Sequence, residues 1–125
     1  MYTFFYRSAP YPMLETFDVP KFNATCTRRD RSNTPLQSLT VSNSEAMFEL
    51  ATAFGQRIAE HPEDSDTARM TFAFRQSFSR PPAERELKVL TRYLKQSRER
   101  FDDEHKTWTA VARLLINLDE FITRE

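Results

Sequence analysis

The sequence predicts an all-α fold, a small bundle of four longer helices and one short helix, on three observations. First, only one glycine, Gly55, occurs in 125 residues, and the Asn-Gly or Asp-Gly pairs that make tight hairpins are absent. Second, helix-start residues recur, at Thr34, Ser42, Ser65 and Thr107, with apolar residues following at three- and four-residue spacing. Third, prolines fall between these periodic stretches from Thr34 onward, at Pro62, Pro81 and Pro82, where they end helices instead of interrupting them.

Residues 1–33 read differently. They hold Pro10, Pro12 and Pro20 and seven of the sixteen aromatic residues. We expect an extended, aromatic and proline-rich segment packed on the helical body of residues 34–125, with one short strand conceivable in "YTFFY". The first helix starts at Thr34-Pro35-Leu36-Gln37. A threonine N-cap, proline at the first helical position and glutamine at N3 form a capping box. This short helix should end near Ser42.

A second box, Ser42-Asn43-Ser44-Glu45, predicts a helix to about Glu60, with Met47, Leu50, Ala51, Phe54 and Ile58 on its buried face. Gly55 beside that face costs about 1 kcal/mol relative to alanine; it admits either a close helix approach or a bulky ring. Asp64-Ser65-Asp66 caps a third helix through Phe78, wide enough in Ala68, Phe72, Ala73, Phe74 and Phe78 to face two neighbours. After "SRPP", Pro82, Glu84 and Glu86 open a long helix with a stripe at Leu87, Leu90, Leu94, Ser97 and Phe101. Its acidic first turn suits the helix dipole. "DDEH" reads as a turn and Thr107 as the cap of the last helix. That helix carries Trp108, Val111, Ala112, Leu115, Leu118 and Ile122, and should be central.

Four ordered stretches carry a family resemblance: "YTFFYRSAPYPMLETFDVP", "CTRRDRSNTPLQSL", "FRQSFSRPPAEREL" and "ARLLINLDEFITRE". Together they resemble the planctomycete cytochrome-associated C-terminal domain of unknown function, the DUF1553 family. The resemblance implies an extracytoplasmic setting within a longer protein, and no activity. It also implies that Met1 falls inside the family's pattern, so that the chain is a piece of a larger domain. Its partner would then be the upstream portion of the same polypeptide or a second copy. No Cys-x-x-Cys-His occurs, so the haem of the larger relatives is not expected here.

Composition narrows the functions. Eighteen basic and eighteen acidic residues cancel, which argues against a nucleic-acid binder. No apolar run approaches the roughly 18 residues of a membrane span, and the opening lacks the basic region and apolar stretch of a signal peptide. One glycine cannot build a phosphate-cradling loop. No cofactor is expected, nor a metal, since neither His61 nor His105 has a second histidine or a cysteine at i+3 or i+4.

The candidate ligand-binding residues are Arg28, Arg29, Arg31 and Asn33, just before a helix N-terminus, with Asp18. Guanidinium forks there would suit a sulfated or carboxylated glycan. The competing and preferred reading pairs these arginines with Asp18, Asp30 and helix-end carbonyls. Cys26 is the single candidate thiol; lacking a nearby histidine, it is expected to be a small buried hydrophobe instead. Asp102, Asp103, Glu104, Asp119 and Glu120 are expected to be caps or solvated faces, and Trp108 core. The leading expectation is a non-catalytic packing and interaction module.

Overall fold

The computed structural model describes residue 6 and residues 9–20, 25–28, 32 and 34–122. The fold is all-α as expected. Its helices are α1 (Pro12–Thr16), α2 (Pro35–Asn43), α3 (Glu45–Ala59), α4 (Asp66–Phe78), α5 (Glu84–Arg100), α6 (Glu104–Ile116) and α7 (Asp119–Ile122). The four longer helices and the short α2 are those the sequence predicts; α1 and α7 are additional. No strand forms among the described residues. Tyr6 makes only an isolated bridge with Ala9, and the rest of "YTFFY" lies outside them.

The N-terminal segment is not extended throughout. Pro12 occupies the first position of the one-turn α1, where its missing N–H costs nothing. The Thr16 hydroxyl bonds back to the Pro12 carbonyl at 3.1 Å. Asp18 ends the turn in the left-handed region, φ 54°, which Asp tolerates better than most residues.

The Thr34 capping box forms. Gln37 N–H donates to Thr34 Oγ1 at 3.3 Å, and Thr34 N–H donates to Gln37 Oε1 at 3.2 Å. The second box does not. Helix α2 runs on through Asn43, so Ser42 is spent inside it, and Ser44 alone, extended at φ −72° and ψ 127°, joins α2 to α3. At the start of α6 the cap is Asp103, whose Oδ1 accepts from His105 N–H at 2.8 Å. Thr107 is instead fully buried in the first turn, its hydroxyl unpartnered among the described residues. The carboxylate one turn earlier is the stronger cap acceptor, and a helix started there turns Thr107 inward.

Helix α6 is central. Trp108, Val111, Ala112 and Leu115 are fully buried, and α3, α4, α5 and α7 all pack on it, α3 most extensively. Ala51 and Ile58 from α3, Met70, Ala73 and Phe74 from α4, and Leu90 and Leu94 from α5 complete the core. Gly55 marks the tightest point. A Cβ there would lie 2.6 Å from both Cα and N of Thr109, so this glycine serves the close helix approach and not an overlying ring.

Two apolar expectations fail at edges. Leu50, 52 % exposed, lies at the margin of the α3 stripe, beyond the reach of α6. The last helix breaks at Asn117, so Leu118 is an exposed linker residue, while Ile122 packs against the core as expected but from the separate α7. Asn117 Oδ1 accepts from the Ser38 hydroxyl at 2.9 Å, an α2 contact that sequence periodicity does not carry.

Candidate functional site

Gln37 organises the end of the molecule where the predicted site residues lie. It is buried, and every polar atom of its side chain is used. Nε2 donates to the Thr16 carbonyl at 3.0 Å and to Ser32 Oγ at 2.7 Å, while Oε1 completes the capping box. Ser32 in turn donates its hydroxyl to Asp18 Oδ2. The first turn of α2 thus ties down both the end of α1 and Ser32. Burial without such pairing would cost the amide roughly 1–3 kcal/mol.

Asp18 is therefore brought to Ser32. Arg29, Arg31 and Asn33, like Asp30, lie outside the described residues. Arg28 is exposed. Cys26 is exposed too, contrary to the expectation of a buried hydrophobe, and its thiol donates to the Arg28 carbonyl at 3.1 Å. The described residues on either side of it, Thr25, Thr27 and Arg28, are exposed as well. His61 is committed elsewhere: its ring sits 4.4 Å from that of Phe72, and Nδ1 accepts from Glu63 N–H at 3.3 Å.

Two arginines act as latches between elements. Arg98 on α5 forks onto Asp66 at the start of α4, with contacts of 2.6 and 2.8 Å, and reaches Glu104 at the start of α6 at 2.6 and 3.2 Å. The same Glu104 accepts the indole N–H of buried Trp108 at 2.9 Å, joining the latch to the core. Arg80, after α4, binds Glu86 at 2.8 and 3.0 Å and Glu120 of α7 at 2.6 and 2.8 Å. Its guanidinium lies 4.9 Å from the Phe74 ring centre. Within the acidic runs Asp103 is thus a cap and Glu104 and Glu120 are latches; among the described residues no pair converges as an acid and base across a cleft.

Hydrogen bonds from Arg98 hold the Asp66 and Glu104 carboxyls below their ordinary values of 3.8 and 4.5, and those from Arg80 do the same for Glu86 and Glu120. Depressed folded-state values favour the folded chain above those ordinary values. The contribution is lost as pH falls through the folded values. The Arg98 side chain is 39 % exposed, so solvent screens the latch and its worth is about 1 kcal/mol. We expect R98Q to melt lower than the parent at pH 7 and the gap to narrow at acid pH, as the Asp66 and Glu104 carboxylates are protonated. Thermal melts at pH 7 and at acid pH check this; an equal gap at both would show that the carboxylates are not what Arg98 serves.

A third place was not anticipated. A hollow of about 580 Å³ opens between the α2–α3 corner, α5 and α6. Its walls carry the rings of Phe48, Tyr93 and Phe101, with Met47 and Leu114. Arg113 and Arg100 stand in the lining and no carboxylate does. Arg113 donates to the Ser42 carbonyl at 3.0 Å and lies 5.4 Å from the Phe48 ring centre; Arg100 lies 5.6 Å from that of Phe101. Among the described residues neither has an acidic partner. These groups come from separate helices and form no linear motif. The one sequence signal is Arg113 itself, set in the central helix with no acidic residue three or four positions away.

What these features define is a small all-α domain, latched by arginine–carboxylate groups and clamped at one end by a buried amide, without an assembled catalytic constellation among the described residues. The family described as a protein of unknown function, DUF1553 (PSD1), matches residues 1–94. The chain belongs to that family. The match extends from the N-terminal segment into α5, so α6, α7 and the stretch "ARLLINLDEFITRE" fall beyond it. No curated protein and no solved structure matches the chain.

Proposed function

We propose that the chain is a helical packing and interaction module of a larger extracytoplasmic, cytochrome-associated protein of planctomycete type, non-catalytic by itself. Its partner is the upstream portion of the same polypeptide or a second copy. In this reading residues 1–33 form a strap over one helical domain of residues 34–125. The observation that carries it is the outer face of α2. Leu36 and Leu39, one turn apart, are 60 % and 57 % exposed, while Gln37 and Val41 on the other side of the same short helix are buried. Large aliphatic side chains so placed on a helix held by a buried amide favour coverage by another surface. Among the described residues no helix is long and apolar enough to cross a membrane, so a lipid span does not account for them.

The isolated chain is expected to self-associate and to bind a hydrophobic dye. L36E/L39E should be monomeric with an unchanged helical spectrum, because both positions point away from the core. Sedimentation velocity checks this. A parent chain that stays monomeric at high concentration and ignores the dye would sink the reading.

A further inference from the structure

We propose that the hollow between the α2–α3 corner, α5 and α6 binds a small amphiphilic anion, its charged head at Arg113 and Arg100 and its apolar body against Phe48, Tyr93, Phe101 and Leu114. The volume, about 580 Å³, falls within the range of roughly 300–1,000 Å³ usual for small-molecule sites. It takes a medium-length hydrocarbon or aromatic body and excludes a folded domain.

Charge complementarity favours an anion. Basic and acidic residues balance over the whole chain, and Arg69, Arg80 and Arg98 each hold a carboxylate at 3.2 Å or closer. Among the described residues Arg113 and Arg100 have no such partner; neither do Arg57, Arg75, Arg85 and Arg92, but Arg113 and Arg100 share one hollow whose lining has no acidic side chain. Arg113 is also oriented beforehand. The Ser42 carbonyl takes one N–H and the Phe48 ring sits by the guanidinium plane, leaving further N–H groups of the fork for a bidentate oxyanion.

The wall of the hollow favours an amphiphile. Three rings, Met47 and Leu114 offer apolar contact to whatever follows the head group, while Gln96 and Ser97 add polar groups to the lining. A free inorganic anion would use the arginines and leave that surface wet.

The test uses decanoate and its neutral isostere decanol, below their aggregation limits, titrated calorimetrically into the full chain carrying L36E/L39E so that α2 association does not interfere. Decanoate should bind, with amide shifts confined to the α3, α5 and α6 residues of the hollow. R100Q/R113Q should weaken decanoate about tenfold, the loss of one to two charge-assisted bonds, and leave decanol within about twofold. The single variant R100Q, a surface change that spares the Ser42 contact, should weaken decanoate in the same direction with the melting temperature unchanged. Equal decanoate affinity in parent and variants would overturn the proposal, as would shifts that map outside the hollow or no binding at all. Concentration-dependent shifts of Phe48 and Tyr93 without ligand would overturn it too, by showing a second copy in the hollow.

Discussion

Replacing Trp108 with alanine is expected to destabilise the chain by about 3–5 kcal/mol, the usual cost of removing a buried large aromatic. The ring is fully buried in the central helix, so no solvent reaches the space it leaves except through rearrangement of α3, α4 and α5. The same change removes the indole N–H from Glu104, leaving that carboxylate to Arg98 alone. Small domains have roughly 5–15 kcal/mol of stability in total, so W108A should leave a chain that melts near or below ambient temperature. W108F separates the two effects. It keeps most of the packing and loses the hydrogen bond, at about 1–2 kcal/mol. Since this is the chain's single tryptophan, the parent's emission reports unfolding directly, with circular dichroism following the variants. A W108A chain that unfolds within about 1 kcal/mol of the parent would show that the ring is not the keystone of the core.

Gly55→Ala is expected to destabilise by about 2 kcal/mol, although alanine is the better helix former. Propensity alone would favour alanine by about 1 kcal/mol. Against that, the new methyl would meet Cα and N of Thr109 at 2.6 Å. These are backbone atoms of α6 that cannot swing aside, so α3 and α6 must separate along their length. Overpacking of this kind costs about 1–3 kcal/mol and more where the backbone must move. A fall in melting temperature of roughly 8 °C follows for a domain of this size. The sign decides the matter: if G55A melts higher than the parent, the helices are not in contact at that point.

Sequence reasoning located the helices well where caps and apolar stripes agreed. Thr34-Pro35-Leu36-Gln37 needed only local chemistry, and that is what forms. It failed where two local solutions competed. Ser42 and Ser44 both suit a cap, as do Asp103 and Thr107, and the choice depends on which start lets the downstream stripe face the core. It failed also at α7, because Leu118 and Ile122 continue the apolar period of α6 while Asn117 turns the chain toward Ser38. The site was less legible still. Asp18 and Gln37 are 19 positions apart, and Gln37 showed itself only as a capping residue. The hollow gave no warning beyond an unpaired Arg113, since a concave surface is a property of how helices cross and not of any one of them.

Local composition therefore determined that this protein is helical, where most of its rods begin and which of them lies at the centre. A hydroxyl followed by proline and an apolar repeat suffices for that, because capping and burial of one face act within a few turns. Tertiary packing alone decided that the one glycine marks the α3–α6 crossing, that Arg80 and Arg98 fasten separate helices, and that two other arginines face a cavity without acids. Those outcomes depend on distances between segments far apart in the chain, and the energies that select them exist only once the rods have met.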